Sequence, residues 1–172
     1  MIDKNAYGKD VIIPAMKMLV EDLWEGKPLE WKKSMIRQFY YMGAFRFNYN
    51  TELISLEARS ANKKSKDHIF VPEFTGFMIA ENPDPFLYDE DLFLRIWNIS
   101  CCIVKVTSAQ NKSLSGYTNG SFIKCGAIDR YKKENIVLYH KKYGIMDTEQ
   151  AIEDFIKPPK EYFELEKKYI RS

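Results

Sequence analysis

The sequence predicts an α+β protein that is mostly helical and contains a small antiparallel sheet. Apolar residues recur every three or four positions across the first third of the chain, a spacing typical of amphipathic helices. Short apolar runs bounded by polar turns follow, of which Cys101–Val106 is typical of a strand. Since 172 residues are the size of one domain, we predict a single domain with a helical N-terminal part (1–60), a mixed core (61–140) and a helical C-terminal part (141–172).

Three helices are expected in the N-terminal part. The first spans Tyr7 to Trp24, and Gly26 and Pro28 end it. The second runs from about Glu30 to Ala44 and places its apolar residues on one face. The third begins at Thr51, a good capping residue, and carries its apolar residues toward Ser60.

Strands and helices are expected to alternate in the core. Ser60–Lys66 is small, polar and basic, which is typical of a loop. The later elements are a strand at 68–71, helices at 73–81 and 89–98, a strand at 101–106, a helix at 108–114 begun by Thr107 or Ser108, and strands at 122–128 and 136–139. In the C-terminal part, we predict that Thr148 caps a helix over 149–156, and that a last helix follows Pro158 and Pro159.

Charge and cysteine content limit the classes of function. The net charge of +2 gives no global basic excess, so a nucleic-acid partner must contact local clusters of cations. Three cysteines, with none spaced Cys-x-x-Cys, favour buried thiols over disulfides or a zinc site. The chain begins without a signal-peptide pattern, and its apolar runs are too short to cross a bilayer. These features predict a cytoplasmic protein that does not insert in a membrane.

Candidate functional residues surround one of the two histidines. His68 directly follows Asp67, before a short apolar run that Pro72 stops. We expect the strand bearing this pair to lie beside Cys101–Val106, and the next helix to place Asn111 across both strands. The basic residues Arg59, Lys63, Lys64 and Lys66 immediately precede the pair, so we predict that they contact nucleic acid. The other histidine, His140, is expected at the surface.

The segment Asp67-His68-Ile69-Phe70-Val71-Pro72, followed by a strand and the helix Thr107–Leu114, resembles the ββα-metal core of HNH-type endonucleases. The resemblance covers roughly residues 60–140, with one extra residue before the proline and a helical insertion between the two strands. It implies a ββα-metal-like core and hydrolysis of DNA phosphodiesters with a divalent metal, Mg²⁺ or Mn²⁺. It also implies that His68 is the general base, that Asp67 and Asn111 are metal ligands, and that Asn82 or Asn98 braces the loop bearing the base.

A second hypothesis is a non-catalytic accessory or inhibitor protein of a mobile element, which binds nucleic acid or another protein. In that case the Asp67–His68 pair only orients a loop, and Asn111 is an ordinary helix residue. The two hypotheses differ in whether Asp67, His68 and Asn111 converge on one point. The sequence leaves open whether the chain forms a homodimer.

Overall fold

Helices account for more than half of the residues that the computed structural model describes, which are 3–21, 26–119 and 122–171. Most of the α-helices begin where the sequence supplies a capping side chain or a proline. Asp89 Oδ1 accepts the Leu92 N–H at 2.9 Å, and Asp147 rather than the predicted Thr148 caps the helix that follows it. The helices are α1 (Lys4–Tyr7), a π-helical turn (Gly8–Ile12), α2 (Ile13–Val20), α3 (Leu29–Arg46), a 3₁₀ turn (Glu57–Arg59), α4 (Pro72–Glu81), α5 (Asp84–Leu87), α6 (Glu90–Ser100), α7 (Ser108–Ser115), α8 (Ala127–Lys133), α9 (Thr148–Phe155) and α10 (Lys160–Lys167).

The α+β class is confirmed, and the described strands form a mixed sheet rather than a purely antiparallel one. The five-stranded sheet has the order β2-β3-β1-β6-β7, and β4 and β5 form a separate pair. Within the sheet β1 and β3 run parallel, and the other neighbours run antiparallel. The strands are β1 (Tyr49–Ser55), β2 (Ser65–Asp67), β3 (Cys102–Val106), β4 (Thr118–Asn119), β5 (Phe122–Ile123), β6 (Leu138–His140) and β7 (Gly144–Met146).

The predicted third helix is wrong, because residues 49–55 form the central strand β1. Thr51, Leu53 and Ser55 are buried in alternation, which is the period of a strand. Thr51 Oγ1 does not cap a helix but donates to the carbonyl of Ile103 in β3 at 2.8 Å. The adjacent apolar residues 53 and 54 suit either period, so only the neighbouring strands decide the structure here.

Residues 122–128 also differ from the prediction of one strand. A two-residue strand, β5, is followed by α8, which the sequence did not predict. Ala127, Arg130 and Tyr131 are the buried residues of α8, at the i, i+3, i+4 spacing of a helix face. Because Arg130 is charged, the apolar residues of this segment alone do not show the helical spacing, and the helix was not predicted.

The predicted strand at 68–71 is wrong. The strand β2 covers Ser65–Asp67 instead, so it carries Asp67 but not His68, and it pairs antiparallel with β3 as expected. Asp67 is opposite Val104. The order β2, β3, α7 matches the resemblance, but β3 is an interior strand between β2 and β1, and the ββα-metal-like core is not confirmed. The predicted first helix is divided into α1, a π-helical turn and α2, and its expected end at Trp24 lies outside the described residues.

The core of the helical part is built around Trp97. This ring is fully buried, lies 5.4 Å from the ring of Tyr40, and donates its N–H to the carbonyl of Lys4 at 2.9 Å. Tyr40 shares a hydrogen bond of 2.9 Å with the hydroxyl of Ser100. A β-carbon on Gly43 would lie 2.9 Å from the Trp97 ring and 2.8 Å from the Ile12 side chain, so only glycine fits there.

Across residues 3–21, 26–119 and 122–171, none of the helices combines the length and the apolar character that crossing a bilayer requires.

We expect Gly43→Ala to lower the free energy of unfolding by about 1–2 kcal/mol. Overpacking against a rigid indole costs about 1–3 kcal/mol, part of which is offset by the better helix propensity of alanine. Urea denaturation measures the difference, with Ser34→Ala on the exposed side of the same helix as the control. An unchanged stability would show that Ile12 and Trp97 repack freely.

Candidate functional site

Asp67 is buried at the end of β2, and its carboxylate is fully engaged. Oδ2 accepts a hydrogen bond from Arg130 Nη2 at 2.7 Å and another from the Tyr131 hydroxyl at 2.5 Å. Oδ1 lies 3.5 Å from Arg130 Nη1. Both partners come from α8, so the ion pair joins the edge strand of the sheet to this helix.

Arg130 also organises the backbone around the pair. Its side chain is 2% exposed, and Nη2 donates to the carbonyls of His68 and Ile69. Nη1 lies 3.4 Å from the carbonyl of Leu114, near the end of α7. The guanidinium therefore holds residues 67–69, α7 and α8 together. These contacts compensate in part for removing its charge from water, since Nε is buried without a partner among the described residues.

His68 is buried as well, with 9% of its surface exposed. Its Nδ1 lies 2.9 Å from the carbonyl of Ser100. Because a carbonyl only accepts, Nδ1 carries the proton and Nε2 keeps a free lone pair. Nε2 is buried without a hydrogen-bond partner, and the ring of Phe45 lies 5.8 Å away. Burial lowers the pKa of His68, although the hydrogen bond to Ser100 opposes the shift, so the imidazole is neutral near pH 7.

Asn111 lies on α7 as predicted, but no hydrogen bond among the described residues joins its side chain to Asp67 or His68. Its neighbour Gln110 does make a tertiary contact. Gln110 Oε1 accepts from the Ser55 hydroxyl at 2.7 Å and from the Thr107 N–H at 3.0 Å, which completes a capping box.

Neither candidate for the bracing asparagine is bonded to His68 in the described part of the chain. Asn82 ends α4 and donates to the hydroxyl of Tyr169 at 2.8 Å. Asn98 Oδ1 is buried and has no partner among the described residues. The bracing role stays a prediction for both.

The residues present do not fit the predicted metal as they are arranged. The Asp67 carboxylate is already neutralised by Arg130, so a cation would have to displace a buried guanidinium. Among the described residues, no group of three or more His, Cys, Asp or Glu side chains is placed to hold a metal ion. A site for Mg²⁺ or Mn²⁺ stays a prediction.

The predicted nucleic-acid-binding residues are all exposed and lie together before and within β2. Arg59 ends the 3₁₀ turn, Lys63 and Lys64 lie in the following loop, and Lys66 is in the strand. The structure adds Lys105, which the sequence analysis did not single out and which lies directly opposite Lys66 on β3. The Arg59 guanidinium lies 3.8 Å from the centre of the Tyr139 ring.

The prediction that His140 lies at the surface is wrong. It is 6% exposed, and its ring stacks on Phe155 at 4.4 Å between centroids. It pairs with Leu53 of β1, on the side of the sheet that faces the core. The strand β6 begins two residues later than expected, which places His140 inside the sheet.

Arg130 and Tyr131 are the residues of this site that sequence reasoning missed. Their only signal in the sequence was the helical spacing with Ala127, and Arg130 lies 63 residues along the chain from Asp67. Comparisons with models of protein families, with curated proteins and with solved structures found no match. What the site can do chemically therefore follows from the contacts of its own side chains.

We expect Asp67→Asn to destabilise the fold by about 3–5 kcal/mol, because the Arg130 guanidinium would stay buried without a carboxylate. Urea denaturation measures the loss, and Asp154→Asn, the same change at an exposed position, is the control. Tyr131→Phe removes one hydrogen bond and should cost about 1 kcal/mol, which provides a milder test if Asp67→Asn does not fold. A loss below about 1 kcal/mol for Asp67→Asn would contradict the role of the ion pair.

The lowered pKa of His68 predicts a pH dependence of stability. The unfolded chain binds a proton near pH 6.5 and the folded chain only at lower pH, so His68 makes stability fall as the pH drops below about 6.5. His68→Asn keeps a donor near the Nδ1 position and removes the titration. Urea denaturation at pH 7.5 and 5.5 should show a smaller loss of stability in the variant than in the wild type. Equal losses in both proteins would contradict the assignment.

Proposed function

We propose that this protein binds DNA without hydrolysing it, through a basic surface formed by Arg59, Lys63, Lys64, Lys66 and Lys105. The observation that carries the proposal is the grouping of these cations around β2. Lys66 and Lys105 are paired across β2 and β3, Lys63 and Lys64 directly precede β2, and Arg59 lies over Tyr139. Among the described residues, no carboxylate lies within 4 Å of any of their charged nitrogens. Unpartnered cations at this density suit a polyanion such as the phosphate backbone.

The position of Lys66 and Lys105 supports an anionic partner. They occupy paired positions on antiparallel neighbours, so their side chains leave the same face of the sheet. Like charges placed directly opposite each other repel, at a cost of up to about 1 kcal/mol. A phosphate between them would remove that repulsion, and this contribution is available only in the complex.

Arg59 and Tyr139 extend the same face. Lys66, Lys105, Ile54 and Tyr139 occupy consecutive paired positions across β2, β3, β1 and β6. The Arg59 guanidinium lies over the Tyr139 ring, a cation–π contact that leaves its N–H donors available for a phosphate. The surface therefore combines four lysines with one arginine held beside an aromatic ring.

The contacts of the predicted catalytic residues favour binding over hydrolysis. Asp67 points away from the basic surface into its ion pair with Arg130, and His68 lies beneath Phe45. A hydrolytic site needs a base that water can reach and a carboxylate free to bind a metal. Metal-dependent cleavage of DNA stays a prediction. The proposal agrees with a cytoplasmic accessory protein of a mobile element, the second hypothesis drawn from the sequence.

We expect the triple variant Lys63→Gln, Lys64→Gln, Lys66→Gln to bind duplex DNA at least tenfold more weakly than the wild type. Fewer counterions would be released, so the slope of log K against log salt should become shallower by about two to three units. Fluorescence anisotropy with a labelled duplex at several salt concentrations measures both quantities. The variant Lys124→Gln, Lys133→Gln, Lys168→Gln carries the same net charge, changes only exposed lysines elsewhere and should bind like the wild type.

Two results would contradict the proposal. Equal weakening in both triple variants would mean that net charge alone attracts DNA, and wild-type binding that is insensitive to salt would point to a protein partner.

Nicking of supercoiled plasmid in Mg²⁺ or Mn²⁺ tests whether the protein binds DNA without hydrolysing it. No nicking is expected, and nicking that disappears in His68→Ala would restore the endonuclease hypothesis.

A further inference from the structure

A cleft of about 600 Å³ lies between α8, α9 and α10, on residues that the proposed DNA surface does not use. Its volume is in the range of small-molecule sites. The apolar part of the wall comes from Ile128, Phe163 and Ile170, and the polar part includes the buried side chain of Glu166. A carboxylate buried beside an open cleft needs an explanation, because burying a charge without a full set of partners is costly.

Glu166 uses only one of its two oxygens within the described structure. The residue is 4% exposed, and Oε1 accepts the N–H of Ala127 at 3.0 Å. Oε2 has no hydrogen bond among the described residues and borders the cleft beside Gly126. The residue is therefore held in place by the backbone of α8 while one acceptor stays available.

A second carboxylate oxygen lies near the same point. A β-carbon built on Gly126 would be 3.0 Å from Glu166 Oε2 and 3.4 Å from Asp129 Oδ2. The absence of a side chain at Gly126 thus leaves a small space that both oxygens border. A group with several N–H donors would fit this space and satisfy both acceptors.

The charged side chains that line the cleft leave a small negative excess. Lys132 pairs with Glu149, and Lys167 pairs with Glu164 outside the cleft. The remaining charged groups of the lining are three carboxylates, at 129, 153 and 166, and two lysines, at 157 and 160. With Glu166 ionised, this remainder carries one net negative charge.

We propose that this cleft binds a small organic cation, a primary ammonium on an apolar body, with the ammonium donating to Glu166 Oε2 and Asp129 Oδ2. The aliphatic part of the ligand packs against Ile128, Phe163 and Ile170. A metal ion suits the cleft less well, because among the described residues no cluster of three metal-binding side chains is present and the wall beside the carboxylates is apolar. This site is independent of the proposed DNA binding.

The site should respond to pH near neutrality. Burial raises the pKa of Glu166 to about 7, against the opposing effects of the Ala127 N–H and Arg130. Below that pH the carboxyl is protonated and attracts an ammonium less strongly. The charged and titratable groups that face it are Cys125 before α8, Asp129 and Arg130 on α8, Glu153 on α9, Lys157 in the connection, and Lys160 and Tyr162 on α10.

Hexylammonium is a suitable probe, with hexanol as its uncharged counterpart. In ¹H–¹⁵N correlation spectra of the whole chain at pH 8, we expect saturable shifts of the Ala127 and Phe163 amides. Affinity should fall by up to about tenfold at pH 6, because the ionised fraction of a group with a pKa of about 7 falls by that factor. Glu166→Gln should abolish binding while keeping the acceptor for Ala127, and Glu161→Gln, an exposed change on the same helix, should bind like the wild type.

Gly126→Ala provides a second variant, because its methyl group would occupy the space between the two oxygens and should also prevent binding. Equal binding of hexanol, or unchanged binding by Glu166→Gln, would overturn the ammonium site. Shifts of the same amides by Mg²⁺ with no response to hexylammonium would overturn it in favour of a metal site.

Discussion

The buried ion pair between Asp67 and Arg130 is the interaction on which the arrangement of this region depends. Through it α8 is joined to the edge of the sheet, and the carbonyls of residues 68, 69 and 114 receive donors from the same guanidinium. A buried pair of this kind contributes little net stability when complete, but removing either charge is severely destabilising. It therefore acts as a constraint on geometry, which permits one arrangement of β2, α7 and α8 and penalises others.

The Asp67–Arg130 pair also separates two adjacent residues of opposite charge, Lys66 and Asp67, onto opposite faces of the sheet. In β2, successive side chains point to opposite faces, so Lys66 turns outward as Asp67 turns inward. The inward carboxylate is committed to Arg130, and the outward lysine meets Lys105. One strand of three residues thus supplies a structural anion to the interior and a cation to the exterior. The strand that carries Lys66 is thus anchored on its inner face by the Asp67–Arg130 pair.

The sequence predicted an element correctly where its capping residues and its apolar spacing indicated the same structure. The prediction failed where contacts with residues distant in sequence determine the structure. Asp89 and Thr107 are capping residues at the starts of α6 and α7, and Cys102–Val106 has the β-branched residues typical of a strand. These three elements were therefore predictable. Residues 51–55 suit either period, and only pairing with β3 and β6 makes them a strand. The partner of Asp67 could not be predicted, because a charged residue on a helix normally faces water and nothing near Arg130 in sequence indicates a buried carboxylate.

The two ends of the five-stranded sheet are unequal, and this has a consequence for self-association. An edge strand offers unpaired N–H and C=O groups to any strand that approaches it, and charged side chains on a short edge discourage such pairing. The β2 edge is three residues long and carries Lys66 beside Lys63 and Lys64. The opposite edge, β7, is equally short but presents Ile145 with 64% of its surface exposed. The lysines of the proposed DNA surface would thus also discourage strand pairing at the β2 edge, whereas the three residues of β7 itself carry no charge.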